Sequence, residues 1–515
     1  MTTVRKQQSV GSLAALTGAA VALLITAVPA TAWPSFPFPP VVVAEGIAAA
    51  IPGRIAAFFI DALQHTALPL TVVGTGLALA LVAWELGRAI PWLDRRLPGG
   101  PVVAAGAAAL PLYVVSVSAF HANTTTVLRA VFAVVLAVAF AVGAWVAGRT
   151  YARLLAVEGD QKAADDLARR SFLRAAALGT GAMVLGVARL GRLVSPAPDP
   201  GAQALHLRDV SPAAPGASSG EAAFGSIPGL TPRVTSNADH YVVDEELFDP
   251  VVDAKTWKLS VSGLVDRPIS IGYQELLAMP AIEQYVTLEC ISNEVGGDLM
   301  STAKWTGVPL RQLLERAGVK PGAVEVVSRA IGGYSDSLPL SEALRPGVIV
   351  AVGMNGQVLP RAHGFPARLI APGHYGMKQP KWLQSLEVVD TPYQGYWEHR
   401  GWSKTAVVKT TARTDTTGAS AAPYELAGIA FAGDRGVEKV EVSLDGGTTW
   451  TEAVMESALS KITWRRWRLP LPAATGGTVA AWVRATDGDG VVQTRTVAGT
   501  YPSGASGWQE SSFSV

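Results

Sequence analysis

The chain has 515 residues, 49% of them hydrophobic and only 16% charged, with a formal net charge of +1. That length exceeds what one core organises, so two to four domains are expected, and the near-neutral balance makes no electrostatic case for nucleic acid as a partner. A single cysteine excludes an internal disulfide framework, while a mean hydropathy of +0.28, high for a soluble protein, comes from apolar residues concentrated before position 192.

Four long apolar runs, at about residues 11–31, 68–87, 101–120 and 127–147, approach the roughly 20 residues that cross a bilayer as helix. A fifth, at about 172–191, is shorter and broken by Gly. Residues 1–192 are therefore expected to be a membrane domain of about five helices. The first run also fits a cleaved signal peptide, with Arg5-Lys6 ahead of it and Val28-Pro-Ala-Thr-Ala32 at its end; we read it as uncleaved because further spans follow directly. Residues 41–63, interrupted by Glu45, Arg54 and Asp61, suit an interfacial or re-entrant helix. Basic clusters at Arg5-Lys6, at Arg88, Arg95 and Arg96, and from Arg149 to Arg170 alternate with loops that lack such clusters, which places the amino terminus in the cytoplasm and everything after residue 192 outside. His65 and His121 sit at loop ends and do not make the facing pair that membrane haem requires. The bundle reads as an anchor and a partner surface.

Arg169-Arg170-Ser-Phe-Leu-Arg174, ahead of the fifth run, resembles a twin-arginine export motif, which carries proteins folded before translocation. A positively charged helix flank is the plainer alternative. Residues 195–231, dense in Pro, Ala, Gly and Ser, read as a flexible or extended tether, and the linker is bounded at 193–233.

Beyond the linker, Trp257 to Ser262 alternates as a strand, Tyr273 to Met279 reads as a short helix stopped by Pro280, and Leu310, Leu313 and Leu314 share one face of a helix capped at Gly318. Strands mixed with short helices indicate an α+β domain over 234–402. Within it, Val286 to Leu288 reads as a strand delivering Cys290 to a loop rich in Ser, Asn and Gly. A lone thiol can be an inert buried side chain, a reactive group, or a thiolate ligand to a soft transition metal. From 403 to 515 the pattern changes: Val440, Val442 and Leu444 alternate into Asp445-Gly-Gly447, and Val479, Ala481, Val483 and Ala485 alternate before Asp487-Gly-Asp-Gly490, which points to an all-β sandwich.

Tyr285-Val-Thr-Leu-Glu-Cys-Ile-Ser-Asn293, followed by Trp305-Thr-Gly-Val-Pro-Leu310, resembles the molybdenum-binding domain of the sulfite-oxidase family. Leu359-Pro-Arg-Ala-His-Gly-Phe-Pro-Ala-Arg-Leu369, Gly373-His-Tyr-Gly-Met-Lys378 and Lys381-Trp382 are similar to that family's pterin-binding region. The segment after 403, through its Ser-Leu-Asp-Gly-Gly stretch, is similar to the immunoglobulin-like domain that pairs subunits in many relatives.

The resemblance implies a molybdenum–pyranopterin cofactor whose metal is bound by the Cys290 thiolate. It implies pterin contacts from His363, Arg368 and Lys381, with Lys378 as a neighbour and Asn237 as an early contact. Tyr393 matches a tyrosine lining the substrate pocket. Each has an ordinary alternative: His363 can cap a turn, Arg368 can be half of an ion pair, and Tyr393 can be a core tyrosine. The pattern departs where the family has arginines after the Cys-x-x-Asn segment, because this chain has Glu294 and Val295; near Tyr241 it has Val243-Asp-Glu245. Carboxylates in place of cations repel a dianion. The expected activity is thus two-electron oxygen-atom transfer on a neutral or cationic S- or N-oxide, with sulfite oxidation and a catalytically idle membrane-tethered module as alternatives. The expected partners are a small-molecule substrate, the membrane, a second copy of the chain through the last domain, and an electron carrier such as a quinone or small cytochrome.

Overall fold

The computed structural model describes residues 2–32, 40, 43, 67–97, 100–118, 126–156, 161–194, 199–207, 209–212, 224–225, 227–243, 249–416, 425–471 and 478–514. It divides into two compact units, the second running from Pro198 to Val515.

The first unit is helical: α1 (Thr2–Ala32), α2 (Ala67–Gly87), α3 (Ile90–Arg96), α4 (Gly100–Ser118), α5 (Thr126–Ala156) and α6 (Gln161–Val194). The described residues of all five apolar runs fall on helices. Gly18 of α1 and Gly143 of α5 face each other so closely that a Cβ on either would strike the other's carbonyl oxygen, the small-residue contact that lets apolar helices pack on backbone. Among the described residues, Gln7–Ala27 and Ala133–Ala156 are long and apolar enough to cross a membrane, and a third span exists if α2 and α3, bent by 42°, act together. Against the expectation of five spans, two or three helices among the described residues have the length and apolarity to cross. Residues 41–63 other than Val43, together with His65 and His121, lie outside the described residues. Arg169 and Arg170 are exposed within α6.

The segment expected to be a tether is in part docked on the second unit. Asp199 caps the turn Pro200–Ala202, its Oδ1 accepting from Gly201 N and Arg361 N, and β1 (Val210–Ser211) lies parallel to β4 (Ala281–Glu289). Leu205 and Leu207 pack against the core of the second unit, and Phe224 is buried beneath the guanidinium groups of Arg466 and Arg468. A few apolar anchors thus outweigh a composition that, read alone, indicates a free linker.

The second unit holds two mixed sheets and a sandwich. One sheet runs in the order β1, β4, β5 (Met300–Pro309), β8 (Ile349–Met354), β10 (Arg368–Ile370), with β9 (Gln357–Val358) also paired to β8. The other runs β3 (Ile269–Gly272), β2 (Lys258–Gly263), β11 (Leu383–Val389), β6 (Glu325–Ala330), β7 (Ser335–Pro339). Period-2 alternation gives β8 two jobs: Val350 and Val352 join a core with Leu259, Val261, Leu386 and Val388, while Ile349 and Ala351 join Val286, Leu288 and Trp305. The short helix α7 (Tyr273–Leu277) follows β3, and α8 (Leu310–Ala317) buries Leu310, Leu313 and Leu314 and ends at Gly318 with φ 73°, the left-handed cap that glycine adopts without strain.

The carboxy-terminal region consists of two four-stranded antiparallel sheets. One contains β12 (Thr411–Thr414), β13 (Glu425–Phe431), β17 (Arg465–Pro470) and β16 (Val454–Met455). The other contains β15 (Thr451–Glu452), β14 (Val437–Ser443), β18 (Thr478–Asp487) and β19 (Gln509–Ser514). Ala412, Leu426 and Trp467 from one sheet meet Val440, Val442, Val483 and Phe513 from the other in a shared core, as two stacked sheets require. The sandwich is seated on β4: Thr287 N donates to Ile462 O at 3.1 Å, and Ser460 Oγ donates to Tyr285 O at 2.9 Å.

Candidate functional site

Strand β4 ends at Glu289, and Cys290 opens the following loop. The loop closes on itself: Cys290 N donates to Leu299 O at 2.9 Å, and Asn293 N donates to Cys290 O at 3.0 Å. Buried Asn293 fixes both ends, donating from Nδ2 to Glu289 Oε1 at 3.0 Å and accepting from Leu299 N at 3.0 Å. Cys290 is half-buried, with Sγ 3.0 Å from Ser292 Oγ, and so is not sealed in hydrocarbon. Beside it, burial pushes the Glu289 carboxyl up to about 7, against the opposing hydrogen bond from Asn293 and the charge of Arg413. The Tyr375 phenol is likewise pushed up, by burial first and then by Glu289.

Residues 235–241 run along β5. Thr235 N donates to Thr302 O at 2.8 Å and Tyr241 N donates to Ser301 Oγ at 3.0 Å. This run places His240 in a buried nest: its ring stacks on Tyr241 at 5.3 Å and meets Trp305 and His363 edge-on at 5.7 and 5.0 Å. Burial above all, followed by the neighbouring His363, holds His240 well below the usual histidine range, and Arg368 and Lys381 act in the same direction. Its Nε2 is buried and has no hydrogen-bond partner among the described residues.

His363 is buried in the turn Arg361–His363, and its Nε2 lies 2.9 Å from Asn237 O. Arg368, at the start of β10, holds its guanidinium 5.2 Å over the Trp305 ring and donates to His363 O at 3.3 Å and Gln379 O at 3.1 Å. Lys381 is buried, with Nζ donating to Ala362 O at 3.3 Å and lying 4.6 Å over Trp382. Three of the expected residues, His363, Arg368 and Lys381, therefore lie in one buried cluster with aromatic neighbours. Tyr241 links this cluster to the Cys290 strand. A Cβ on Gly376 would lie 3.0 Å from the Tyr241 hydroxyl and 3.5 Å from Glu289 O, so glycine leaves room for that approach.

Two expected residues are placed differently. Asn237 spends its side-chain amide on the protein, donating to Gln357 Oε1 at 2.7 Å and accepting from Asn355 Nδ2 at 2.8 Å; its backbone carbonyl meets His363. Lys378 is turned into the protein, where its ammonium donates to Asp336 Oδ1 at 2.6 Å, Glu398 Oε1 at 2.5 Å and Ser337 O at 3.2 Å. An ammonium has three protons, so all three are used within the protein, at the centre of a buried ion-pair cluster.

Tyr393 is half-buried, its hydroxyl accepting from Arg329 at 3.0 Å and lying 2.8 Å from Ser335 Oγ. Arg329 also pairs with Glu387 at 2.9 Å and covers the Tyr393 ring at 5.1 Å. Sequence reasoning missed His240, Trp305 and Arg329 as site residues. His240 had a local signal, three positions after Asn237; Arg329 sits on β6 with no motif around it.

Comparison with known proteins gives this geometry a class. Residues 247–397 match the oxidoreductase molybdopterin binding domain, and residues 403–500 match the Mo-co oxidoreductase dimerisation domain: side by side they define a two-domain molybdopterin oxidoreductase. The chain is 30% identical over 322 residues to the sulfite oxidase of Gallus gallus, covering 51% of this chain and 70% of that one. It is 33% identical over 150 residues to the uncharacterized oxidoreductase YuiH of Bacillus subtilis, covering 29% of this chain and 74% of that one. To the mitochondrial sulfite oxidase of Macaca fascicularis it is 31% identical over 278 residues, covering 44% of this chain and 51% of that one, so it spans about half the length of such mammalian relatives. The chain belongs to the sulfite-oxidase family of molybdopterin-dependent oxidoreductases, and its cofactor is a molybdenum cofactor.

Proposed function

We propose that the protein is a membrane-anchored molybdenum oxidoreductase that moves an oxygen atom and two electrons, with its catalytic half on the extracytoplasmic side. The observation that carries the reading is the convergence of His363, Arg368 and Lys381 around buried His240, with Cys290 at the neighbouring strand end. The residues present fit the cofactor. Two cations and imidazoles suit a phosphate and a polar ring, and His240 Nε2 is a buried polar atom lacking a partner among the described residues, a state that a bound group would relieve.

When bound, the cofactor supplies the two-electron redox chemistry, and the protein supplies binding, orientation and electrostatics. Cys290 would hold the metal through its thiolate, with Asn293 fixing the loop that presents it. His363, Arg368, Lys381 and His240 would hold the pterin and its phosphate, with Trp305 packed against Arg368. Tyr393 would line the substrate side. Arg329 donates to its oxygen, leaving the phenolic proton for Ser335 Oγ or a substrate oxygen.

The substrate we infer is a neutral or cationic S- or N-oxide. Glu294 and Val295 stand where cations would receive a dianion, and the Arg329 charge is already paired with Glu387. A second reading, sulfite oxidation, is favoured by the position of Arg329 on the Tyr393 hydroxyl and by the relatives named above. The anchor reading is supported by two apolar helical stretches and by apolar side chains left exposed along α5, among them Val134, Val138 and Trp145. We also infer export through Arg169-Arg170 and homodimer formation through an immunoglobulin-like domain at 403–515, the latter supported by the dimerisation-domain match.

Purified protein should carry about one molybdenum atom per chain and turn over a dialkyl sulfoxide faster than sulfite. Metal-free protein from molybdenum-replete cells would support the idle module instead. Sulfite turnover that exceeds sulfoxide turnover and collapses in Arg329→Ala would establish the second reading.

A further inference from the structure

We propose that Lys378, Asp336 and Glu398 form a positioning unit that holds the Tyr393 loop in its working place, with Lys378 acting through that loop. The inference rests on the reading of Tyr393 as a substrate-pocket residue. It takes a side chain that sequence reasoning placed at the pterin and assigns it a different task.

Three segments distant in sequence meet at this unit. Asp336 comes from β7, Lys378 from the turn Gly376–Lys378, and Glu398 from the turn Glu398–Arg400 that follows Tyr393. The Asp336 side chain is fully buried, and those of Lys378 and Glu398 are each 2% exposed. The loop is tied down at several points close by. Glu398 Oε2 accepts from Gly395 N at 3.2 Å, Tyr396 N donates to Ser335 O at 2.8 Å, and Ser335 Oγ meets the Tyr393 hydroxyl. A Cβ on Gly395 would lie 2.9 Å from Asp336 Cγ, so the loop passes directly over the carboxylate. The turn supplying Lys378 is anchored by Tyr334, whose hydroxyl donates to Met377 O at 2.6 Å, and its first residue is Gly376, against which the Tyr241 hydroxyl packs.

The charge count distinguishes this unit from an ordinary ion pair. One buried ammonium faces two buried carboxylates, and a net charge away from water is costly, so the unit retains a proton. Burial is the main reason the Asp336 carboxyl is pushed up to about 7; the Glu398 charge adds to it and Lys378 opposes it. The other charged groups around the unit have partners of their own. Glu325 accepts from Ser337 Oγ and Tyr393 N and pairs with Lys404 at 2.9 Å, Arg329 pairs with Glu387, and Arg400 lies over the Tyr396 ring. Above the pH at which Asp336 ionises, the unit carries an uncompensated negative charge against the loop backbone, and the loop loosens.

The test uses full-length, molybdenum-loaded protein in detergent and compares Asp336→Asn, Lys378→Met, Lys378→Arg and Tyr393→Phe. It reads molybdenum per chain, kcat and KM across pH 5.5–9 with sulfite and with a dialkyl sulfoxide, and hydrogen exchange over residues 391–400. Lys378→Met should keep molybdenum content within about twofold, lower kcat about tenfold or more with little change in KM, and raise exchange in the loop; Lys378→Arg should recover most of the loss. Asp336→Asn leaves a one-to-one pair and should remove the alkaline fall in kcat near pH 7. If Lys378→Met does not fold, the variant with all three charges removed (K378M, D336N and E398Q together) serves in its place.

Molybdenum lost in proportion to activity, with loop exchange unchanged, would overturn the proposal and return Lys378 to the cofactor. An alkaline limb that survives Asp336→Asn would overturn the retained proton. Wild-type kcat in Tyr393→Phe would refute the reading of Tyr393 alone, because loop exchange in Lys378→Met decides the positioning claim whichever substrate is used.

Discussion

Replacing Asn293 with Ala tests whether one buried amide holds the Cys290 loop. The change removes two hydrogen bonds and leaves Leu299 N and Glu289 Oε1 without their partner. A buried donor or acceptor stripped of its partner costs about 1–3 kcal/mol. Water can reach Leu299, which is half-buried, so the sum for the pair is about 2–4 kcal/mol. With an unfolding entropy of about 2.1 cal/mol/K per residue over a unit of this size, the thermal midpoint should fall by roughly 3–6 °C. The assay is a thermal melt of the detergent-solubilised chain, paired with hydrogen exchange across residues 290–299, where protection should drop most. A midpoint within 1 °C of wild type, with exchange in the loop unchanged, would refute the assignment of Asn293 as the fixing residue.

His240 gives a pH prediction with a definite sign. Its folded pKa is held below the ordinary 6.5, so below that pH the unfolded chain takes up a proton that the folded chain resists, and stability falls as pH falls. Between pH 7.5 and 5.5 the thermal midpoint of cofactor-free wild type should therefore fall relative to that of His240→Phe measured alongside it, the opposing contributions of the raised Glu289 and Asp336 carboxyls being common to both. Tyr393→Phe removes the hydroxyl that Arg329 and Ser335 address and should lower kcat about 10- to 100-fold, one strong hydrogen bond's worth of barrier, with molybdenum content unchanged. Changing Arg169 and Arg170 together to Lys should leave the second unit in the cytoplasm; unchanged cleavage by protease added outside intact cells would remove the export claim.

Where a structural signal is local, the sequence carried it. Alternation in Val286 and Leu288 located the strand before Cys290, and Leu310, Leu313 and Leu314 with Gly318 marked α8 and its cap. The turn at Asp445 and the alternation through Ala485 marked the sandwich. Long-range pairing was not legible. Nothing near Lys378 indicates that Asp336 and Glu398, 42 and 20 residues away, close around it, and a lysine inside a family-like segment reads as a ligand contact until its partners are seen. Composition misdescribed residues 199–212 because docking there depends on Leu205, Leu207 and two residues of β1, too few to alter a Pro- and Ala-rich profile. Arg329 reaches Tyr393 only because β6 and the loop after β11 are neighbours in space.

The most direct measurement of the central claim is molybdenum K-edge X-ray absorption on wild-type protein and on Cys290→Ser. If the strand-end thiolate is a metal ligand, the variant that still binds cofactor should show one fewer sulfur in the metal's first coordination shell, along with lost turnover. An unchanged sulfur shell with full turnover would contradict the account.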